Sequence, residues 1–291
     1  MFNPFVKDIN RDIEDRELIG RALNGNIESL EQLILGHQAW IYNIAFRMVL
    51  VAEDAEDITQ EILIKMITKL SSYNPTKASF HTWLYRIVAN HVINMRKRGY
   101  ESFITRLEDF YSFVETIPDE EITSTPENDL VIRDVMVGCV LGALLCLDRQ
   151  QRIAFVMGVV FNVSSEQGSE IMGISCASFR KILSRTRAKL YNFLNKKCGL
   201  VNRSAPCKCR NKVREFIRQG WHTIDNINFY RENASKVNEL ISQKIDHFDS
   251  TVYHDFTKLY RDHPFYEPPD VTEWLSSILD RQDFKEIFDL N

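Results

Sequence analysis

The 291-residue sequence predicts an all-α protein: two helical domains joined by an acidic linker, plus a mainly helical C-terminal extension. Three observations carry this reading. Apolar residues return at every third or fourth position through residues 14–99 and again from about 140 to 194, the period of helices with one buried face. No stretch alternates apolar and polar residues as a half-buried strand does. The interval between the periodic blocks is crowded with acids and carries Pro118 and Pro126, the composition of a linker.

In the first block the apolar positions are Leu18, Ile19 and Leu23, then Leu30, Leu33 and Ile34, then Ile41, Ile44 and Ala45. Breaks are expected at Asn24-Gly25-Asn26, at Gly36 and at Tyr73-Asn74-Pro75, where Gly and Pro punctuate the pattern. Residues 100–139 read as the acidic linker, with at most transient helices. Periodicity over residues 140–195 is interrupted at Asn162-Val163-Ser164 and at Gly173-Ile174-Ser175. Residues 196–220 read as a basic, Cys-containing loop. Residues 221–291 form an acidic, aromatic-rich helical extension, in which Asp270 is a candidate N-cap for a helix carrying Trp274 and Leu275.

The hydrophobic fraction of 44% suffices for packed cores, and the formal net charge is −4. A negative sum argues against a polyanionic partner, because binding to nucleic acid is driven by Lys and Arg displacing condensed counterions. The charge is sorted along the chain, however. Between Arg180 and Arg214 there are twelve Lys or Arg and no acid, whereas between Glu101 and Asp134 ten acids face Arg106 and Arg133. From Trp221 onward fourteen acids face seven cations. A basic block flanked by acidic ones restores nucleic acid as a partner. No apolar run approaches the roughly 20 residues of a membrane helix, and MFNPFVKDINRDIEDRE lacks the basic-then-apolar layout of a signal peptide. The expected location is the cytoplasm, with no membrane partner. No nucleophile, phosphate-binding loop or paired-carboxylate motif points to an enzyme.

VSSEQGSEIMGISCASFRKILSRTRAKL has the layout of a helix-turn-helix. Ser164 or Ser165 caps the first helix, Gly173 permits the turn and Ser175 caps the second. The second helix carries Arg180, Lys181, Arg185, Arg187 and Lys189 around an apolar stripe of Phe179, Ile182, Leu183 and Leu190. A solvated basic helix would share that charge; the turn, the caps and the absence of acids favour DNA. Base contacts fall to Ser178, Arg180 and Lys181 early in the helix, and phosphate contacts to Arg185 and Arg187.

With these motifs in place, residues 14–99 resemble region 2, and residues 140–195 region 4, of sigma-70-family RNA polymerase sigma factors. The resemblance is to the small extracytoplasmic-function (ECF) type, which keeps only those two domains. AEDAEDITQEILIKMITKL is similar to the family's polymerase-binding helix, YNPTKASFHTWLYRIVANHVINMRKR to its promoter-melting and minus-10 segment, and LDRQQRIAFVMG with the helix-turn-helix to its minus-35 domain. The resemblance implies a bacterial transcription initiation factor whose partners are core RNA polymerase and promoter DNA. It places polymerase binding at Asp57, Gln60, Glu61 and Lys65, which recur on one helix face. It places minus-10 binding at Arg86, Asn90, Asn94, Arg96, Lys97 and Arg98, and minus-35 binding at Ser178, Arg180, Lys181, Arg185 and Arg187. Phe80 and Trp83, in register with Ile87, read as core. The loop from Ser71 to Ser79 is where the family holds an extruded base, and the acidic linker is expected in the polymerase's basic channels. Competing readings are a helix-turn-helix regulator that does not join polymerase, and a zinc or thiol sensor.

Departures from the family pattern fall at Asp148, where Pro is usual, at Gly168 and Ser169, where Ile and Ala are usual, and at Ile182, where a cation is usual. Gly168 inside a helix costs about 1 kcal/mol against Ala. Cys139, Cys146 and Cys176 lie in apolar or helical patterns and read as packing residues. Cys198, Cys207 and Cys209 lie among cations that favour thiolate; with His222 they are candidate zinc ligands, although Cys-x-Cys is not the usual knuckle. A redox thiol pair and inert structural thiols remain open alternatives, and no cofactor is required by the pattern. The acidic extension beside the basic block suggests self-inhibition by covering the DNA-binding helix; an anti-sigma factor is the alternative inhibitor.

Overall fold

A computed structural model describes residues 9–97, 99–102, 106–123, 125–219, 256–261, 266 and 268–279, all helix, turn or loop apart from one isolated bridge. Contacts divide the chain into two compact units, Met1–Arg96 with Phe161–Arg180 and Tyr266–Asn291, and Lys97–Val160 with Lys181–Phe265. The division does not follow the sequence domains, since the helix-turn-helix contributes to both.

In the first unit, α1 (Ile9–Ala22), α2 (Ile27–Val49), α3 (Ala52–Lys69) and α4 (Phe80–Asn94) pack together. Two of them begin at a capping side chain. Asn26 accepts the Ser29 amide at 2.7 Å to cap α2, and Ser79 accepts the Thr82 amide to cap α4, each satisfying a helix-end donor. Leu33, Ile34, Ile41 and Ile44 of α2, Ile58, Ile62 and Met66 of α3, and Leu84 and Tyr85 of α4 are fully buried. Gly36 does not break α2. A Cβ there would lie 2.3 Å from the Arg11 guanidinium, so the glycine makes room for α1 rather than a turn.

Beneath these helices lies a buried polar knot. His37 Nε2 lies 3.2 and 3.3 Å from the Asp15 oxygens, and His81 meets Asp12 at 3.1 Å and Asp15 at 3.4 Å. Burial, and then the neighbouring His37, lower the His81 pKa, so the ring is neutral at neutral pH. Arg47 of α2 is also fully buried, with Phe161 and Tyr266 rings 5.7 and 6.0 Å from its guanidinium; burial lowers its pKa to about 10. The C-terminal segment docks here. Tyr266 exchanges two hydrogen bonds with the Asn43 amide, at 2.7 and 2.8 Å, and Gln38 donates to the Pro269 carbonyl.

The second unit corrects the linker reading. Residues 100–139 hold α5 (Leu107–Thr116) and most of α6 (Pro126–Leu145), which begins well before residue 140. Pro126 occupies the first turn of α6, where its missing N–H costs nothing, and Thr125 caps the helix by accepting the Asn128 amide at 3.2 Å. Leu107, Tyr111 and Val114 give α5 its buried stripe, and Val131, Ile132, Val135 and Met136 of α6 cluster with Val213. Val213 belongs to α10 (Cys209–Arg218), so the stretch 196–220 is not simply a loop either. In sequence between α6 and α10 come α7 (Arg149–Phe155), running on as a π-turn to Val160, α8 (Ser165–Met172), which belongs to the first unit, and α9 (Cys176–Lys197), which is divided between the two. Asp148, where the resembling family has Pro, caps α7 by accepting the Gln151 amide at 2.8 Å.

Of the extension, α11 (Lys258–Arg261) and α12 (Thr272–Leu279) are described, the latter starting two residues after Asp270. Tyr260 of α11 meets Phe155 edge-on at 4.9 Å, and Arg261 donates to the Val159 carbonyl at 3.0 Å.

Candidate nucleic-acid and polymerase interface

The helix-turn-helix is built by local chemistry. Ser164 and Gln167 make a reciprocal capping box at the start of α8. Gly173 closes that helix at φ 65° and ψ 33°, with Gly173 N–H bonded to the Glu170 carbonyl and Ile174 N–H to that of Ser169. Ser175 accepts the Ser178 amide at 3.1 Å and starts α9. Gly168 has a specific reason: a Cβ there would lie 2.3 Å from the tip of the fully buried Phe179 ring. The family's larger residue is therefore excluded by the position of Phe179.

Ser178, Arg180, Lys181, Arg185 and Arg187 are all exposed along α9. Among the described residues, no acid lies within 4.0 Å of any of these four cations. Of the described part of the extension, Phe256 meets Tyr191 of α9 at 5.6 Å, and other apolar residues pack on α2, α6 and α7; most of the residues on which the self-inhibition expectation falls lie outside the described residues. Arg86, Asn90 and Asn94 are exposed at successive turns of α4, and Arg96 and Lys97 are exposed just beyond it. The Arg98 side chain lies outside the described residues. Phe80 is buried, stacked on Trp83 at 5.5 Å and edge-on to Tyr73 at 5.4 Å, and so belongs to the core that shapes the 71–79 loop. Within the first unit α4 also packs against α8.

On α3, Asp57 is exposed and Gln60 half-exposed. Glu61 and Lys65 turn to α4, where Glu61 lies 3.3 Å from His91 Nε2 and Lys65 meets its Nδ1. The four residues thus divide between a pair pointing away from α4 and a partly exposed pair that meets His91 of α4.

Cys198, Cys207 and Cys209 come together, with Cys139 of α6 beside them, around one small cavity; His222 lies outside the described residues. Sequence context marks these thiols as thiolate-prone, and the structure reverses that. Burial pushes Cys139 and Cys209 well up, Cys198 up and Cys207 to about 11, outweighing Lys208 and Lys212. Cys139 was not legible as part of this group, because nothing in its own helical register ties it to residues 198–209. A different trio, Asp15, His37 and His81, brings its ligand atoms within 4.8 Å of one another, as the hydrogen-bonded knot described above. No helix among the described residues is long and apolar enough to cross a membrane.

Comparison with known proteins matches residues 33–100 to Sigma-70 region 2 and residues 138–190 to Sigma-70, region 4. Relatives include the ECF RNA polymerase sigma factor SigE of Mycolicibacterium smegmatis, 28% identical over 61% of this chain and 66% of the relative. The RNA polymerase sigma-H factor of Pseudomonas aeruginosa is 27% identical over 60% and 90% respectively. The ECF RNA polymerase sigma-E factor of Escherichia coli is 26% identical over 63% and 96%. The solved structure of CnrH in complex with the cytosolic domain of CnrY has 20% identity and a TM-score of 0.44, covering 62% of this chain and 97% of that one. Both matched regions end by residue 190, so the extension lies beyond them. The chain belongs to the extracytoplasmic-function branch of the sigma-70 family, the transcription initiation factors that direct RNA polymerase to promoters.

Proposed function

We propose that α3 docks on core RNA polymerase through Asp57 and Gln60, that α4 and the Arg96-Lys97-Arg98 run bind the minus-10 element, and that α9 reads the minus-35 element. Supporting this is the observation that the polar faces of α4 and α9 are exposed while the apolar faces of the same helices are buried. Opening the promoter then requires no covalent chemistry, only preferential binding of an extruded base by the loop between α3 and α4, against a flipping cost of a few kcal/mol.

The packing of α8 on α4, within the first unit, supports a second element of the reading: the first helix of the helix-turn-helix is held against the minus-10 helix in the free chain. Elements at minus-10 and minus-35 lie about 25 base pairs apart, on the order of 85 Å at ~3.4 Å per step. Helices in direct contact do not span that distance, so α8 separates from α4 when polymerase is bound.

The test is in vitro transcription with core polymerase on genomic fragments. Promoter-specific RNA dependent on this chain is expected, as is its loss in the Asp57→Ala, Gln60→Ala double variant. A fluorophore pair on α4 and α8 should show high transfer in the free chain and low transfer in holoenzyme. DNA binding with no polymerase-dependent RNA would support the operator-binding regulator instead.

A further inference from the structure

We propose that Cys139, Cys198, Cys207 and Cys209 form a four-thiolate site for a zinc ion that pins α6, the end of α9 and the start of α10 together. The proposal stands apart from the transcription reading and draws on different residues.

Four of the six cysteines in the chain converge here from three elements. Cys139 projects from the middle of α6, Cys198 follows the last residue of α9, Cys207 lies in the connecting loop and Cys209 is the first residue of α10. They line a cavity of about 30 Å³, otherwise walled chiefly by apolar side chains including Met136, Val140 and Leu194. That is room for one small guest. Of the polar side chains on its wall, the Tyr111 hydroxyl donates to the Lys197 carbonyl and the Lys197 amine pairs with Glu115 at 3.1 Å. The available donors are therefore sulfur, which selects a thiophilic ion over a hard one.

The backbone is arranged for such a ligand. Cys198 and Cys207 form the isolated bridge, with Gly199 N–H bonded to the Cys207 carbonyl at 2.9 Å and Cys207 N–H to that of Lys197 at 3.2 Å. A Cβ on residue 199 would lie 2.7 Å from the Cys207 oxygen, so only glycine allows the two segments this close. The tight turn beyond Cys198 is closed by the Val201 and Asn202 amides, which donate to the Cys198 carbonyl at 3.1 and 3.0 Å and fix the backbone that presents this thiol.

In the described conformation no three of the four sulfurs lie mutually within 4.8 Å. Coordination therefore needs the side chains to turn inward to the ~3.8 Å spacing that a Zn–S bond of about 2.3 Å sets in a tetrahedron. Binding converts four thiols to thiolates, releases their protons to solvent and leaves a doubly negative centre. Lys208 and Lys212, close to Cys207, face that charge.

The test uses the full-length chain, purified under reducing conditions and assayed for zinc, then prepared with cobalt(II) as the spectroscopic probe. About one zinc per chain is expected, with a cobalt spectrum showing tetrahedral bands and the charge-transfer intensity of four thiolates. Serine at Cys139, Cys198, Cys207 or Cys209 should each weaken binding by at least ~100-fold; Cys146→Ser and His222→Ala should not. A metal-free chain whose thiols alkylate as fast folded as in urea overturns the proposal. So does a spectrum of fewer than four sulfurs, a readout on the wild-type chain that stands even where a variant does not fold. Sensitivity at His222 but not at Cys139 overturns it equally.

Discussion

The acidic stretch from Glu101 to Asp134 and the basic stretch from Arg180 to Arg214 look in sequence like two opposed blocks, one for polymerase channels and one for DNA. In the structure the basic block divides. Its distal cations turn back on the acids: Lys197 pairs with Glu115 at 3.1 Å, Arg210 with Asp129 at 3.6 Å, Lys212 with Asp119 at 3.3 Å and Arg214 with Glu120 at 3.4 Å. Arg218, just beyond, reaches Glu120 at 2.8 Å and helps hold its carboxyl below the usual range. Arg180, Lys181, Arg185 and Arg187 make no such pair among the described residues. One run of cations thus serves two purposes, and proximity to α5, α6 and the segment joining them decides which.

The acids are not equivalent either, and the largest effect is expected at Glu101. It is 2% exposed and gripped by Arg149 at 2.7 Å and by Arg152 at 3.0 Å. Arg152 is itself buried and donates to the Leu144, Leu145 and Leu147 carbonyls. Removing the carboxylate strands that charge. Glu101→Gln should cost about 3–5 kcal/mol, measured by urea denaturation, whereas an exposed linker acid such as Glu108 should cost almost nothing. Burial alone would raise the Glu101 carboxyl, but the two arginines together hold it below its usual 4.5. A carboxyl depressed in the folded state stabilises at neutral pH, and that contribution fades as pH falls from about 4.5 through the lower folded value. The wild type should show this acid loss and the glutamine variant should lack it. An equal pH profile in both would mean that the buried pair contributes nothing.

A smaller effect is expected at Gly168, where two arguments give opposite signs. Helix propensity says Ala should gain about 1 kcal/mol; the 2.3 Å approach to Phe179 says it should lose about 1–3 kcal/mol by overpacking. A lowered denaturation midpoint for Gly168→Ala would establish packing as the reason for this departure from the family pattern. A raised midpoint would leave the departure unexplained.

These cases show what made some parts legible. The helix-turn-helix was readable because Ser164, Gly173 and Ser175 act within a few residues of themselves, through caps and a left-handed turn. Gly36 and Pro126 carry the same kind of signal, yet neither breaks a helix, because Arg11 fills the space above one and Thr125 caps the other. The helices of the supposed linker depend on α10 and α9 for burial, and no window of local sequence contains that information. The same holds for Asn43, whose partner Tyr266 is 223 positions away, and for Cys139. Where a residue is fixed by its neighbours in sequence, pattern suffices; where it is fixed by a distant segment, composition misled.

The smallest effect on stability, and the most direct test of the divided basic block, comes from removing cations in pairs. Exposed ion pairs contribute about 0–1 kcal/mol, so neither Arg185→Ala with Arg187→Ala nor Arg214→Ala with Arg218→Ala should change folding much. Their effects on duplex DNA should separate. Every phosphate deprived of its cation reduces the slope of log affinity against log salt by about 1, so the 185/187 pair should flatten it by about 2. The 214/218 pair, already neutralised by Glu120, should leave it unchanged. Equal flattening by both would show that DNA draws Arg214 and Arg218 away from Glu120, and that the whole run from Arg180 to Arg214 acts as a single electrostatic surface. Salt titration of the full-length chain, with each double variant beside the wild type, distinguishes a division fixed by folding from one that DNA can undo.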